Sequence, residues 1–219
     1  MSLSRTRKIF AYTAVAALVA AAGWAAQASK ARAAAAPHCV TIARPKPKPN
    51  GGRKAPKLKL DPAKHYDVTL VTNCGSFTIR LDVRHSPHTA ASFAYLARTH
   101  FFDRTIFHRI VPGFVIQGGD PTGQGIGGPG YETVDRPPAN TVYREYLAAM
   151  AKTQTEPAGT AGSQFFVVTG PGVQLPPDYA VLGTVYVGRK VVDLIGKLGD
   201  AQEQPTRVVE ILRTTVRVS

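Results

Sequence analysis

Tyr66-Asp67-Val68-Thr69-Leu70-Val71-Thr72, the break Asn73-Cys74-Gly75, and Ser76-Phe77-Thr78-Ile79-Arg80-Leu81-Asp82 together decide the fold class. Apolar and polar residues alternate on both sides of the break, and β-branched and aromatic side chains dominate, so the pair reads as a hairpin with one buried face. Outward from it, further strands are predicted at about 106–110, 113–118, 147–151, 164–169, 180–187 and 207–217. Two segments have helical spacing instead. Ser86-Pro87 supplies an N-cap and a first-turn proline for a helix through about Arg98, with Ala90, Phe93, Ala94 and Leu96 inward. Val191, Val192, Leu194, Ile195 and Leu198 mark a second near 189–198. Many short strands with two helices predict a mainly β domain, an antiparallel barrel with covered ends.

The 219-residue chain carries a formal charge of +13, very unevenly distributed. Residues 1–64 hold 13 Lys or Arg against one acid, Asp61, whereas residues 65–219 hold 14 bases against 13 acids. A nucleic-acid reader needs its positive charge on the folded face, so that class is set aside. Arg5, Arg7 and Lys8 precede an uncharged, Ala- and Val-rich stretch from Ile9 to Gln27, the layout of an export signal, with Ala26-Gln27-Ala28 as a cleavage pattern. Residues 1–28 are thus expected to be a signal peptide or membrane anchor, and the protein extracytoplasmic, secreted or membrane-held. Residues 29–63, with Arg44-Pro45-Lys46-Pro47-Lys48-Pro49 at their centre, are expected to be a solvated basic linker. That linker offers an anionic envelope polymer or membrane surface a contact. Residues 64–219 are the expected domain, with no dimer stripe evident, hence a monomer. Cys39 and Cys74 suit an exported chain either as one disulfide or as two thiols.

Several motifs fail on context. Gly123-Gln124-Gly125-Ile126-Gly127-Gly128 satisfies the dinucleotide fingerprint formally, but Pro129-Gly130 follows where a helix must open. A glycine-rich loop beside a groove is the better reading. His85 and His88 lack a third metal ligand, so no metal is expected. Ser163 lacks the surroundings of a nucleophile elbow and is read as shaping a turn into a strand. What stands out is Arg109 among Phe107, Ile110, Phe114, Ile116 and Phe166, because a cation in such company needs an acid or a ligand.

Phe101-Phe102-Asp103, Phe107-His108-Arg109, Pro112-Gly113-Phe114, Gln117-Gly118-Gly119-Asp120, Gly162-Ser163-Gln164-Phe165-Phe166 and Ala180-Val181-Leu182-Gly183 follow one another between Tyr66 and Val218. In these motifs the chain resembles the cyclophilins, the barrel-shaped peptidyl-prolyl cis-trans isomerases. The resemblance implies a closed eight-stranded antiparallel β-barrel capped by two α-helices and a peptidyl-prolyl isomerase; joined to the signal-like N-terminus, it leads us to expect an enzyme that assists folding of exported proteins outside a bacterial membrane. It makes Arg109 the catalytic arginine, Phe114, Phe166 and Leu175 walls of the proline pocket, and Gln117 a partner of the substrate amide. His108, Val115, Ala151 and Gln164 match positions that line the groove, and Tyr179 stands near the pocket rim where the family often has a histidine. Proline-containing polypeptides are the implied substrates, with no covalent step, metal or cofactor. Gln174 stands where the family often has the tryptophan that supports cyclosporin, and Lys152 where an asparagine is frequent. These rim changes motivate a second reading, a proline-peptide-binding chaperone or adhesion module with little catalysis.

Overall fold

The hairpin read from the sequence forms as β1 (Tyr66–Thr72) and β2 (Gly75–Leu81) in the computed structural model, which describes residues 36–219. The segment expected as signal or anchor, residues 1–28, lies outside the described residues. After the hairpin come α1 (Pro87–Arg98), β3 (Thr105–Val111), β4 (Val115–Asp120), β5 (Thr133–Val134), β6 (Leu147–Met150), β7 (Thr160–Ala161), β8 (Phe165–Val168), β9 (Val181–Val187), α2 (Arg189–Gly196) and β10 (Glu210–Val218). Eight strands close a barrel in the order β1-β10-β3-β4-β8-β6-β9-β2, and β5 and β7 form a separate two-stranded ribbon. All pairings are antiparallel.

Alternation explains the interior. Val68, Leu70, Phe77 and Ile79 of the hairpin point inward and are fully buried. They meet an aromatic cluster in which Phe93 of α1 stacks edge-on against Phe165 of β8 at 5.3 Å, and Phe165 against Phe107 of β3 at 5.9 Å. Each fully buried phenylalanine stabilises the fold by about 1.5–3 kcal/mol through removal of apolar area from water. Pro87 opens α1 as expected, but Ser86 makes no side-chain cap. Asp135, distant in sequence, does this instead. Its carboxylate accepts from the Thr89 N–H at 2.6 Å and contacts His88 Nδ1 at 2.9 Å.

The basic segment differs from its expected solvated state. Residues 36–63 belong to the same compact unit as the barrel. Cys39 is disulfide-bonded to Cys74 in the β1–β2 turn. The N–H groups of Val40, Lys48, Gly51 and Arg53 donate to the carbonyls of Asn73, Pro121, Gly128 and Pro129 at 2.8–3.0 Å. Lys48 Nζ donates to the carbonyls of Phe101 and Asp103, and burial holds its pKa below the ordinary lysine value, with Asp103 partly offsetting. Leu60 packs against the core. Alternating prolines prevent a ladder within the segment, yet an N–H is an obligatory donor, and the Lys48 N–H between two prolines finds its acceptor on the finished barrel. The linker is therefore, over its described part, a strap.

Candidate active site

Arg109, Gln117 and Phe166 occupy one cross-strand row, since Arg109 pairs with Gln117 across β3–β4 and Gln117 with Phe166 across β4–β8. Simple alternation would send Arg109 inward with Phe107. A bulge in β3 prevents it. The register slips between Phe107 and Arg109, so that His108 is the extra residue. Phe107 and Ile110 both stay in the core at 0 % exposure while His108 and Arg109 turn outward. Bulges re-aim side chains in this way. Of the five apolar neighbours that singled out Arg109 in the sequence, Phe107, Ile110 and Ile116 face the barrel interior, and only Phe114 and Phe166 share its side.

On that side lies a cavity of about 320 Å³ that Arg109 and Gln117 share with Phe114, Val115, Ala151, Phe166, Leu175 and Tyr179. Eight of the ten residues expected at the site are thus gathered. The Phe166 and Tyr179 rings meet edge-on at 5.4 Å. Behind them Tyr143, which the sequence reading missed, fixes the Tyr179 backbone, donating from its hydroxyl to the Tyr179 carbonyl at 2.7 Å and accepting from the Tyr179 N–H at 3.0 Å. Burial pushes the Tyr143 hydroxyl up to about 12, so it keeps its proton. Tyr143 sits in a stretch without period and had no local signal. Lys152 Nζ lies over the Tyr179 ring at 5.7 Å.

The guanidinium is held on two edges. Arg109 Nε donates to Glu203 Oε2 at 2.6 Å, and Nη1 donates to Gln117 Oε1 at 3.3 Å. Glu203 lies 94 residues away in sequence, and nothing local announces it. Its side chain is 46 % exposed and that of Arg109 33 %, so the acid is a rim partner and not an interior lock. An ion pair so exposed is worth about 0–1 kcal/mol, and the guanidinium stays within reach of a ligand in the cavity.

Gln117 Nε2 donates to Gln164 Oε1 at 3.2 Å, and Gln164 Nε2 to the Gly127 carbonyl at 3.0 Å. Gln164 itself lines a second cavity, about 690 Å³, between the glycine-rich loop and residues 151–156. His108 lines neither. It borders a third hollow with Arg109, Glu203 and Arg44 of the strap, and burial holds its pKa below the ordinary histidine value, hence neutral at pH 7. The glycine-rich loop is organised by Asp120, whose carboxylate accepts from Thr122 N–H at 2.7 Å, Thr122 Oγ1 at 2.9 Å and Gln124 N–H at 2.9 Å, and from Gly125 N–H. No helix opens there. Ser163 Oγ donates to the Gly119 carbonyl at 2.8 Å, the turn-shaping role expected of it. Gly119 must be glycine: at φ +86° a Cβ would stand 2.4 Å from the Ser163 carbonyl oxygen. Among the described residues no three His, Cys, Asp or Glu side chains gather as a metal site.

Residues 67–216 match the family described as Cyclophilin type peptidyl-prolyl cis-trans isomerase/CLD. A peptidyl-prolyl cis-trans isomerase of Arabidopsis thaliana is 36 % identical over 152 residues, covering 68 % of this chain and 93 % of its own length. Peptidyl-prolyl cis-trans isomerase B of Streptomyces anulatus is 40 % identical over 151 residues, covering 61 % and 85 %. The crystal structure of a cyclophilin-type isomerase of Cryptosporidium parvum superposes with a TM-score of 0.64 at 28 % identity, over 70 % of this chain and 98 % of that one.

Proposed function

The chain belongs to the cyclophilin-type peptidyl-prolyl cis-trans isomerases, and on that premise we propose that Arg109 drives the rotation and that the enzyme serves the folding of exported proteins. A peptide bond keeps partial double-bond character, and its rotation faces a barrier of about 18–20 kcal/mol. The barrier falls when the lone pair stays on the proline nitrogen as the bond twists. A guanidinium is always charged and presents five donors in a rigid fork. With Nε on Glu203 and one Nη1 proton on Gln117, Nη2 is the guanidinium nitrogen that makes no hydrogen bond among the described residues. It is available to the pyramidalising nitrogen and strengthens its hold as the lone pair localises, the condition for acceleration. The walls formed by Phe114, Phe166 and Leu175 grip the prolyl ring and exclude water, while the Gln117 amide holds the adjoining backbone.

The export reading rests on the signal-like residues 1–28 and is supported by the Cys39–Cys74 disulfide, because such bonds persist in oxidising compartments. One observation carries the mechanism: the bulge at His108 delivers Arg109 to the mouth of an apolar cavity. Arg109→Ala is expected to lower kcat/KM on an Ala-Pro test peptide by about 10²–10³-fold, the usual effect of deleting a transition-state donor, with the melting temperature preserved. Unchanged turnover would overturn the mechanism.

A further inference from the structure

The strap reaches the site through one peptide plane. Asn50 Oδ1 accepts from the Gly128 N–H at 2.9 Å, while the carbonyl of the same peptide unit, Gly127 C=O, accepts from Gln164 Nε2 at 3.0 Å. The unit is planar and trans, so its N–H and C=O point in opposite directions. Holding one end fixes the other. Glycines on both sides of the bond make this plane unusually free to turn over, and the Gly51 N–H, which donates to the Gly128 carbonyl at 3.0 Å, secures the next unit.

The direction of the plane sets the direction of two side-chain amides. With the Gly127 carbonyl facing Gln164, Gln164 must present Nε2 to it and Oε1 to Gln117. Gln117 then presents Nε2 to Gln164 and Oε1 to Arg109. If the plane turned over, an N–H would face Gln164, both amides would have to reverse, and Gln117 would aim an N–H at Arg109. A guanidinium has donors only, so the two groups would repel.

Resting on the isomerase reading above, we infer that Asn50 is a positioning residue: it latches the Gly127–Gly128 plane and thereby keeps an acceptor opposite Arg109, making the strap part of the catalytic apparatus. Arg44 Nη2, donating to the Gly123 carbonyl at 2.8 Å, and the disulfide hold the strap in register for this.

The test compares Asn50→Leu, which keeps shape without an acceptor, with Asn50→Asp, which keeps the acceptor, in the full chain. Asn50 is exposed, so neither change disturbs the core. The readouts are kcat and KM on an Ala-Pro test peptide and the NMR resonances of the Gln117 and Gln164 side-chain amides. Asn50→Leu is expected to lower kcat about fivefold, the weight of one net hydrogen bond, with KM little changed and both amide resonances shifted. Asn50→Asp is expected to behave as wild type. In a Gln164→Leu background Asn50→Leu should cost nothing further. Unshifted amides with unchanged kcat, Asn50→Asp as slow as Asn50→Leu, or full additivity with Gln164→Leu would each overturn the latch. An inactive wild type would instead count against the isomerase reading, while the amide resonances would still report on the latch.

Discussion

Phe166, Val115 and Ala149 stand on β8, β4 and β6, where ladder hydrogen bonds and a packed cluster hold them. Across the groove, Asn50, Gly127 and Gly128 stand on segments with no ladder, held by a few bonds between a strap and a glycine-rich loop. The first wall is apolar and inherits its rigidity from the barrel. The second is polar, and its geometry depends on individual hydrogen bonds. Catalysis of a bond rotation asks for both: a fixed grip on the ring, and donors and acceptors set in one direction.

If the strand-built wall owes its shape to packing, Phe166→Ala should have the largest effect. Removing a phenylalanine that is only 5 % exposed is expected to cost about 3–5 kcal/mol of stability, measured by denaturant unfolding, together with most of the activity. Phe165→Ala, its neighbour inside the barrel, should lose similar stability with a smaller effect on KM. Equal KM values for the two variants would erase the distinction between the wall and the core.

The loop-built side is probed by breaking the disulfide. Replacing Cys39 and Cys74 by serine is expected to cost about 3–4 kcal/mol through the freed 35-residue separation. Activity of the remaining folded enzyme should fall only severalfold, because the bonds from Lys48, Asn50 and Arg53 still dock the strap. Complete loss of activity at retained fold would mean that the covalent tie, and not these bonds, sets the groove.

The smallest effect is expected at Asp120. Burial works to raise its pKa, but the donations from Thr122, Gly125 and Gln124 outweigh burial and hold the carboxyl below its ordinary value. A carboxyl lowered in the fold stabilises above the unfolded value of about 3.9, and this contribution is lost as pH falls through the folded value. Asp120→Asn is therefore expected to be less stable at pH 7 by about 1–2 kcal/mol, with the gap to wild type narrowing below about pH 4. A gap of the same size at pH 3 would show that the loop is held by something other than charge.

The strands and both helices were legible because burial on one face leaves a period in the sequence, and β3, β4, β8 and β9 fall within a few residues of where that period placed them. The two-residue strands β5 and β7 are too short to carry a period. That one of Phe165 and Phe166 must face inward was also a matter of alternation; the barrel put Phe165 in the core and Phe166 on the groove. The motifs named the arginine but not its orientation.

Local periodicity, and short runs whose members are chain neighbours, were enough to read the barrel and its family and to name candidate residues for the groove. It took the closed barrel to show that a bulge turns Arg109 out of the core, that Glu203 and Tyr143 arrive from afar, and that a proline-rich segment docks as a strap whose Asn50 meets the Gly127–Gly128 peptide. Those outcomes depend on hydrogen-bond partners far apart along the chain, and a partner of that kind exists only once the barrel has closed.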